Sequence, residues 1–120
     1  MTFCIVWEFR VRSQAAAAFE AAYAPDGEWA RLFRRDAGYL GTELLRDGGL
    51  PGRYLTVDRW RSAAAWQAFR TRHGAAYAAL DARCEPLTFA ERHLGSFDAI
   101  ERIPDHPTVP SHRKEPNDAT

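Results

Sequence analysis

Residues Pro51–His73 read PGRYLTVDRWRSAAAWQAFRTRH, and the order of residue types in them decides the fold. A Pro-Gly turn opens the stretch. Tyr54 to Trp60 is then a β-branched and aromatic run of the kind that suits a pleated strand. Ser62 follows, whose hydroxyl accepts from backbone N–H groups left free at a helix start. Behind it, an alanine-rich segment carries Trp66, Phe69 and His73 at helical spacing. A strand ending in Trp, a Ser cap and a helix with an aromatic inner face make one half of a small sheet-and-helix domain.

The chain upstream supplies the other half. In FCIVWEFRV, Phe3, Ile5, Trp7, Phe9 and Val11 fall on one face and Cys4, Val6, Glu8 and Arg10 on the other, the period of a strand. Ser13 is expected to cap the next helix, QAAAAFEAAYA, whose inner face is Phe19, Ala22 and Tyr23. Pro25-Asp26-Gly27 interrupts it, and EWARLFRRD follows with Trp29, Leu32 and Phe33 aligned, so the segment is one broken helix or two consecutive ones. Gly38 suits the left-handed conformation that ends a helix. Tyr39 to Arg46 reads as a second strand, joined to Tyr54–Trp60 through DGGLPG, a loop longer than the tight hairpin type. The helix from Ser62 is expected to reach about Arg72, dent near Gly74 and resume to about Cys84. Trp66, Phe69, His73, Tyr77, Leu80 and Cys84 form its buried stripe. Pro86 stops it, and Leu87 to Phe97 reads as the last strand.

The order is βαββαβ: an α+β, ferredoxin-like fold with a four-stranded antiparallel sheet and helices on one face. This domain takes residues 1–100. Residues 101–120 hold Pro104, Pro107, Pro110 and Pro116 and almost no large apolar side chain, too little to offset the entropy of ordering. They read as a flexible tail, or as an arm laid on a partner subunit. The helix-free face of the sheet is assigned Val6, Leu40, Thr42, Leu44 and part of the last strand. A face that apolar does not stay wet, and the economical cover is a second copy, giving a twofold homodimer with sheets packed face to face.

Composition excludes several classes. Lys plus Arg and Asp plus Glu each number 16, so the formal net charge is zero, where a nucleic-acid binder shows a basic excess. Gly52 to Val57 faintly echoes the third strand of RNA-binding modules with this topology, but Thr56 stands where the second stacking aromatic is needed. No apolar run approaches the roughly 20 residues that span a bilayer. MTFCIVWEFR is too short, and carries Glu8 too early, for an export signal. Cys4 and Cys84 are therefore expected as free, buried thiols in a cytoplasmic protein. No CxxC or HExxH spacing suggests a metal.

Phe9-x-Val11, then Gly38-Tyr39-Leu40-Gly41, then Arg53-Tyr54-Leu55 leading to Trp60-x-Ser62 carry a family resemblance. Over roughly residues 3–97 the chain resembles the antibiotic-biosynthesis monooxygenase superfamily. The resemblance implies a dimeric α+β barrel with a small-molecule pocket between sheet and helices in each subunit. It also implies a cofactor-independent monooxygenase, acting on an aromatic or quinone-like compound with molecular oxygen and neither metal nor flavin. Related members degrade haem with an Asn, a Trp and a His, and this chain departs from that pattern. Its only asparagine is Asn117, Phe69 stands where the Trp is expected, and His73 follows one turn later.

Oxidising a phenol without a cofactor requires the substrate as an anion, hence a base, an apolar wall and little water. His73 and Tyr77 are the catalytic candidates. Histidine titrates near neutrality, and Tyr77, with Tyr23, can orient phenol or quinone oxygens. Tyr23, Trp29, Trp66 and Phe69 form the candidate binding set for a small hydrophobic or aromatic ligand. Each also has a structural reading: helical-stripe packing for Trp66 and Phe69, a helix end for His73, hydroxyl anchoring for the tyrosines, a plug or lid for Trp29. Trp7 and Trp60 are assigned to the core. Glu91, Arg92 and His93, with Asp58, Arg59 and Glu8, form a second polar cluster, read as fixing register in the dimer barrel. The competing function is a non-catalytic dimeric binding or stress-related protein on the same scaffold, distinguished by whether the space under the helices is open.

Overall fold

The period-two run at the start of the chain becomes the strand around which the sheet is built. The structure, a computed structural model, describes residues 2–101. In chain order its elements are β1 (Phe3–Val11), α1 (Ala16–Tyr23), α2 (Glu28–Phe33), β2 (Tyr39–Arg46), β3 (Arg53–Trp60), α3 (Ala63–Cys84) and β4 (Thr88–Asp98). The sheet order is β2-β3-β1-β4, every pairing antiparallel. Helices cover one face, giving the α+β, ferredoxin-like fold. Residues 102–120, nearly all of the stretch read as a tail, lie outside the described residues.

Local chemistry sets most boundaries. Ser62 accepts from the Ala65 N–H at 3.0 Å and opens α3. α3 bends at His73 (φ −119°, ψ 26°), one residue before Gly74. Pro25-Asp26-Gly27 separates α1 from α2 rather than merely denting one helix. A Cβ at Gly27 would lie 2.4 Å from the Ala21 carbonyl oxygen, so only glycine lets α2 start this close to α1. Arg31 and Arg34 then donate to the backbone oxygens of Asp26 and Pro25, at 2.7 and 2.9 Å.

Three expectations need correction. Ser13 caps nothing: it begins a 3-10 turn, Ser13–Ala15, closed by Ala15 N–H on the Arg12 oxygen at 2.9 Å. Gly38 is not left-handed; the glycines with positive φ are Gly41, Gly52 and Gly95. Gly38 is small for a packing reason, since a Cβ there would meet the Ala65 Cβ at 2.6 Å.

The third correction concerns the sides of β2. Tyr39 pairs with Trp60 but Gly41 pairs with Arg59, leaving Leu40 as an extra residue, and Gly41 sits at φ 148°. The bulge reverses the alternation, so Thr42 faces with Asp58 and Leu44 with Thr56, on the helix side. The helix-free side therefore presents Val6, Leu45, Leu55 and Val57, with Phe97 half exposed, threaded by ion pairs. Glu8 pairs with Arg53 and, at 3.2 Å, with Arg92, while Arg59 reaches Glu43 at 3.0 Å. Arg53 holds the Glu8 carboxyl below the usual carboxylate range. Asp58 is absent from this cluster because it points the other way.

Under the helices lies an aromatic core. Trp60, Phe19 and Phe69 are completely buried. Phe33 ties α2 to the sheet and to α3, 5.4 Å from the Trp60 ring and 5.3 Å from Phe69, both edge-on. Such pairs add about 1 kcal/mol each beyond the area they bury. Tyr54, 3% exposed, faces this core, so it offers no stacking platform on the open sheet face as an RNA-binding module requires. Cys4 and Cys84 are unpaired and buried. Among the described residues no helix is long and apolar enough to cross a membrane.

Candidate active site

Between the sheet and the helices the aromatic packing leaves a cavity of about 130 Å³. Period two places Ile5, Trp7 and Phe9 of β1 on its floor, with Thr42 of β2, Thr56 and Asp58 of β3, and Glu91 of β4. The roof is Tyr23 of α1, Trp29 and Phe33 of α2, and Trp66, Tyr77 and Asp81 of α3. Tyr77 stands eleven positions after Trp66, close to three whole turns, so one helix face delivers both. Their rings stand 6.0 Å apart, and the Trp29 ring meets Tyr77 edge-on at 5.1 Å.

Tyr23, Trp29, Trp66 and Tyr77 thus come together around one space. Phe69 and His73 do not line it. Phe69 is packed behind Trp66, rings 5.8 Å apart, and His73 lies against Phe69 at 5.2 Å, where the bend in α3 carries it off the cavity. His73 Nε2 is buried there without a hydrogen-bond partner among the described residues. Trp7, assigned to the core, instead forms cavity floor and touches the His93 ring at 5.3 Å.

The polar lining has one sign. Asp58, Asp81 and Glu91 face the cavity, and among the described residues no lysine, arginine or histidine lines it. Thr42 Oγ1 donates to Asp58 Oδ1 at 2.6 Å, and the Tyr39 hydroxyl lies 2.5 Å from Thr42 Oγ1. A threonine hydroxyl has one proton, and it is committed to Asp58, so Tyr39 is the donor to Thr42. Burial pushes the Asp58 carboxyl up to about 6 even though the Thr42 bond pulls the other way. Burial likewise raises Glu91, to which the Thr88 hydroxyl donates at 3.3 Å. Tyr23 and Tyr77 are also raised by burial, so near neutral pH both are neutral hydroxyls able to donate. Outside the wall, the exposed Arg70 guanidinium sits 4.5 Å over the Tyr77 ring and 5.4 Å over Trp66.

Sequence groups Asp58 with a polar cluster and does not single it out for the site, although a signal for it was there. It shares the alternation of Tyr54, Thr56 and Trp60, which point inward, so its phase in β3 carried the signal. Asp81 stands one turn after Tyr77 on the same helix face. Thr42 gave no such signal, because the Leu40 bulge reverses its side. Among the described residues no group of three His, Cys, Asp or Glu side chains converges as a metal ion needs.

Comparison with known proteins adds a family and a fold. Residues 2–79 match the family model described as antibiotic biosynthesis monooxygenase. No match was found among curated proteins. SnoaB, a cofactor-independent oxygenase from Streptomyces nogalater, is 21% identical over 87% of this chain and 98% of its own, with a TM-score of 0.60. MhuD, a haem degrader from Mycobacterium tuberculosis solved with two haems in its active site, is 24% identical over 85% and 99%, TM-score 0.62. A Bordetella bronchiseptica protein bearing the same family description is 21% identical over 83% and 98%, TM-score 0.68. At these identities the likeness to the solved structures is one of fold. The residues present here do not fit a haem. The cavity is the size of a single ring, its carboxylates would face the anionic propionates, and His73 lies outside it.

Proposed function

The chain belongs to the antibiotic biosynthesis monooxygenase family, and from that premise we propose that it is a cofactor-independent monooxygenase of an aromatic or quinone-like small molecule. The observation that carries this reading is the cavity: aromatic on most sides, roofed by helices, and holding ionisable groups where a ring edge would rest. Its volume of about 130 Å³ resembles the roughly 150 Å³ engineered cavity that takes up benzene. One ring fits as the walls stand; a fused-ring substrate requires them to part.

The chemistry needs no external reductant. A ring hydroxyl loses its proton, the anion passes electrons to molecular oxygen, and a ring C–H becomes a carbonyl. One oxygen atom enters the ring and the other leaves as water, with every electron supplied by the substrate. Trp29 and Trp66 present ring faces and edges for stacking, and Tyr23 and Tyr77 donate to substrate oxygens. The aromatic walls limit the water that reaches the reactive anion. We also infer a homodimer through the helix-free sheet face, supported by the apolar set Val6, Leu45, Leu55 and Val57 between its ion pairs.

Oxygen consumption by the desalted protein with 1,8-dihydroxyanthrone tests the activity. Uptake above the enzyme-free rate with matching anthraquinone formation is expected, and Trp66→Ala should lose most of it. Saturable binding of the anthrone without any uptake would instead favour the non-catalytic binding protein.

A further inference from the structure

The cavity needs a proton acceptor, and the histidine expected to serve is elsewhere. Asp58 is placed for the task. It lies on the cavity floor at the centre of the sheet, opposite Ile5 on β1 and Thr42 on β2. Its Oδ1 is engaged by Thr42, itself held by Tyr39, so the carboxylate is fixed in rotation. Its Oδ2 accepts from no described residue. That oxygen is the one open to a ligand. Asp81 of α3 and Glu91 of β4 also face the space, but neither is held by a two-hydroxyl chain of this kind.

We propose that Asp58, oriented by Thr42 and Tyr39, is the catalytic base that takes the proton from a ring hydroxyl acidified by a conjugated carbonyl, on a substrate bearing no anionic group. The substrate O–H bond breaks, a new O–H bond forms at Asp58 Oδ2, and the bonding pair stays on the substrate oxygen. Molecular oxygen is the electron acceptor that follows, and the proton returns as its reduced oxygen leaves as water. The transfer leaves the cavity charge unchanged. Losing the proton to bulk solvent would instead add an anion to a cavity that the Asp81 and Glu91 carboxylates already border.

The substrate class follows from matching acid to base. A simple phenol titrates at about 10, roughly four units above the Asp58 carboxyl at about 6, so only about one bound molecule in ten thousand would be ionised. A hydroxyl conjugated to a ring carbonyl is more acidic and closes much of that gap. Carboxylated or phosphorylated rings are disfavoured by the one-signed lining. Titratable groups that share the cavity with Asp58 are Tyr23 of α1, Tyr77 and Asp81 of α3 and Glu91 of β4, while Tyr39 of β2 reaches it through Thr42, with Arg34 beyond Tyr39 and Arg70 beyond Tyr77.

This assignment rests on the oxygenase reading, and its test has an arm that does not. In the first arm, kcat/KM for 1,8-dihydroxyanthrone is followed with pH. Wild type should show an acid limb near pH 6, Thr42→Val should move that limb upward because a bond favouring the anion is lost, and Thr42→Ser should restore it. Asp58→Asn should lower kcat by about 100-fold or more and abolish the acid limb, whereas Glu91→Gln retains one. In the second arm, 4-nitrophenol binding is measured by calorimetry below the pH at which the probe itself ionises. Affinity should rise with pH in wild type and stay flat in Asp58→Asn. An unchanged rate and acid limb in Asp58→Asn, or the same pH-dependent binding, overturns Asp58 as the base. Saturable binding of the anthrone without oxygen uptake, together with Asp58-dependent binding of 4-nitrophenol, overturns the oxygenase reading and leaves the hydroxyl-recognising carboxylate.

Discussion

Replacing Asp58 by asparagine should stabilise the fold at neutral pH and stop doing so in acid. The Asp58 carboxyl is raised in the folded protein from an ordinary 3.8 to about 6, because burial outweighs its bond from Thr42. A raised carboxyl favours folding in its protonated form. Its contribution is complete below the unfolded value and is lost as pH rises through the folded one. At about 1.4 kcal/mol per unit, the separation of roughly two units means that ionised Asp58 costs the fold about 3 kcal/mol at pH 7.5. Asparagine keeps the shape and an oxygen for Thr42 but brings an amide N–H₂ in need of partners, which returns about 1 kcal/mol. A net gain of about 2 kcal/mol at pH 7.5 is expected, shrinking to nothing or reversing by pH 4. Urea unfolding of wild type and variant at fixed protein concentration measures it. Taking the difference between the two proteins removes the shared pH dependence of Glu8 and Asp47, which are lowered, and of Glu91, which is raised. A difference independent of pH would refute the reasoning, whatever its size.

Other outcomes follow from the packing. Gly38→Ala should destabilise by about 1–3 kcal/mol through overpacking, and adding Ala65→Gly should recover most of the loss, since the clash at 2.6 Å is between those two positions. Phe69→Ala, at a fully buried site, should cost about 3–5 kcal/mol in the same assay. His73→Ala should leave oxygen uptake essentially unchanged, because the ring packs behind the cavity; loss of uptake would return His73 to the mechanism. Leu45→Glu, on the helix-free face, should shift the sedimentation mass from dimer toward monomer, and a wild-type monomer at micromolar concentration would remove the dimer altogether.

The fold was legible wherever one physical rule acted alone. FCIVWEFRV shows its alternation because β1 is central and one of its sides is packed under helices. Ser62 announces α3 because no other group competes for the free N–H groups. Where two rules meet, the sequence misleads. Tyr39-Leu40-Gly41-Thr42 reads as regular alternation, but pairing with β3 inserts Leu40 as a bulge and reverses Thr42 and Leu44. Ser13 has the chemistry of a cap, yet the chain turns too tightly after β1 to use it. Gly38 looks like a helix stop and is a close contact. The site follows the same pattern. Aromatic residues at helical spacing located four of its walls, whereas Asp58, a charge grouped by sequence with Arg59, Glu8 and the polar residues of β4, turns inward with the phase of β3. His73 obeyed the helical period and left the cavity only because α3 bends there. Gly74 marks the place of that bend in the sequence, but not the direction in which it turns the His73 ring, against Phe69.

The most direct test follows the indole N–H signals of Trp7, Trp29, Trp60 and Trp66 by NMR while 4-nitrophenol is added. Binding beneath the helices predicts saturable shifts of Trp7, Trp29 and Trp66, which line the cavity, with Trp60 nearly still in the sealed core. Unmoved indoles, with shifts confined to backbone amides of the helix-free sheet face, would contradict it.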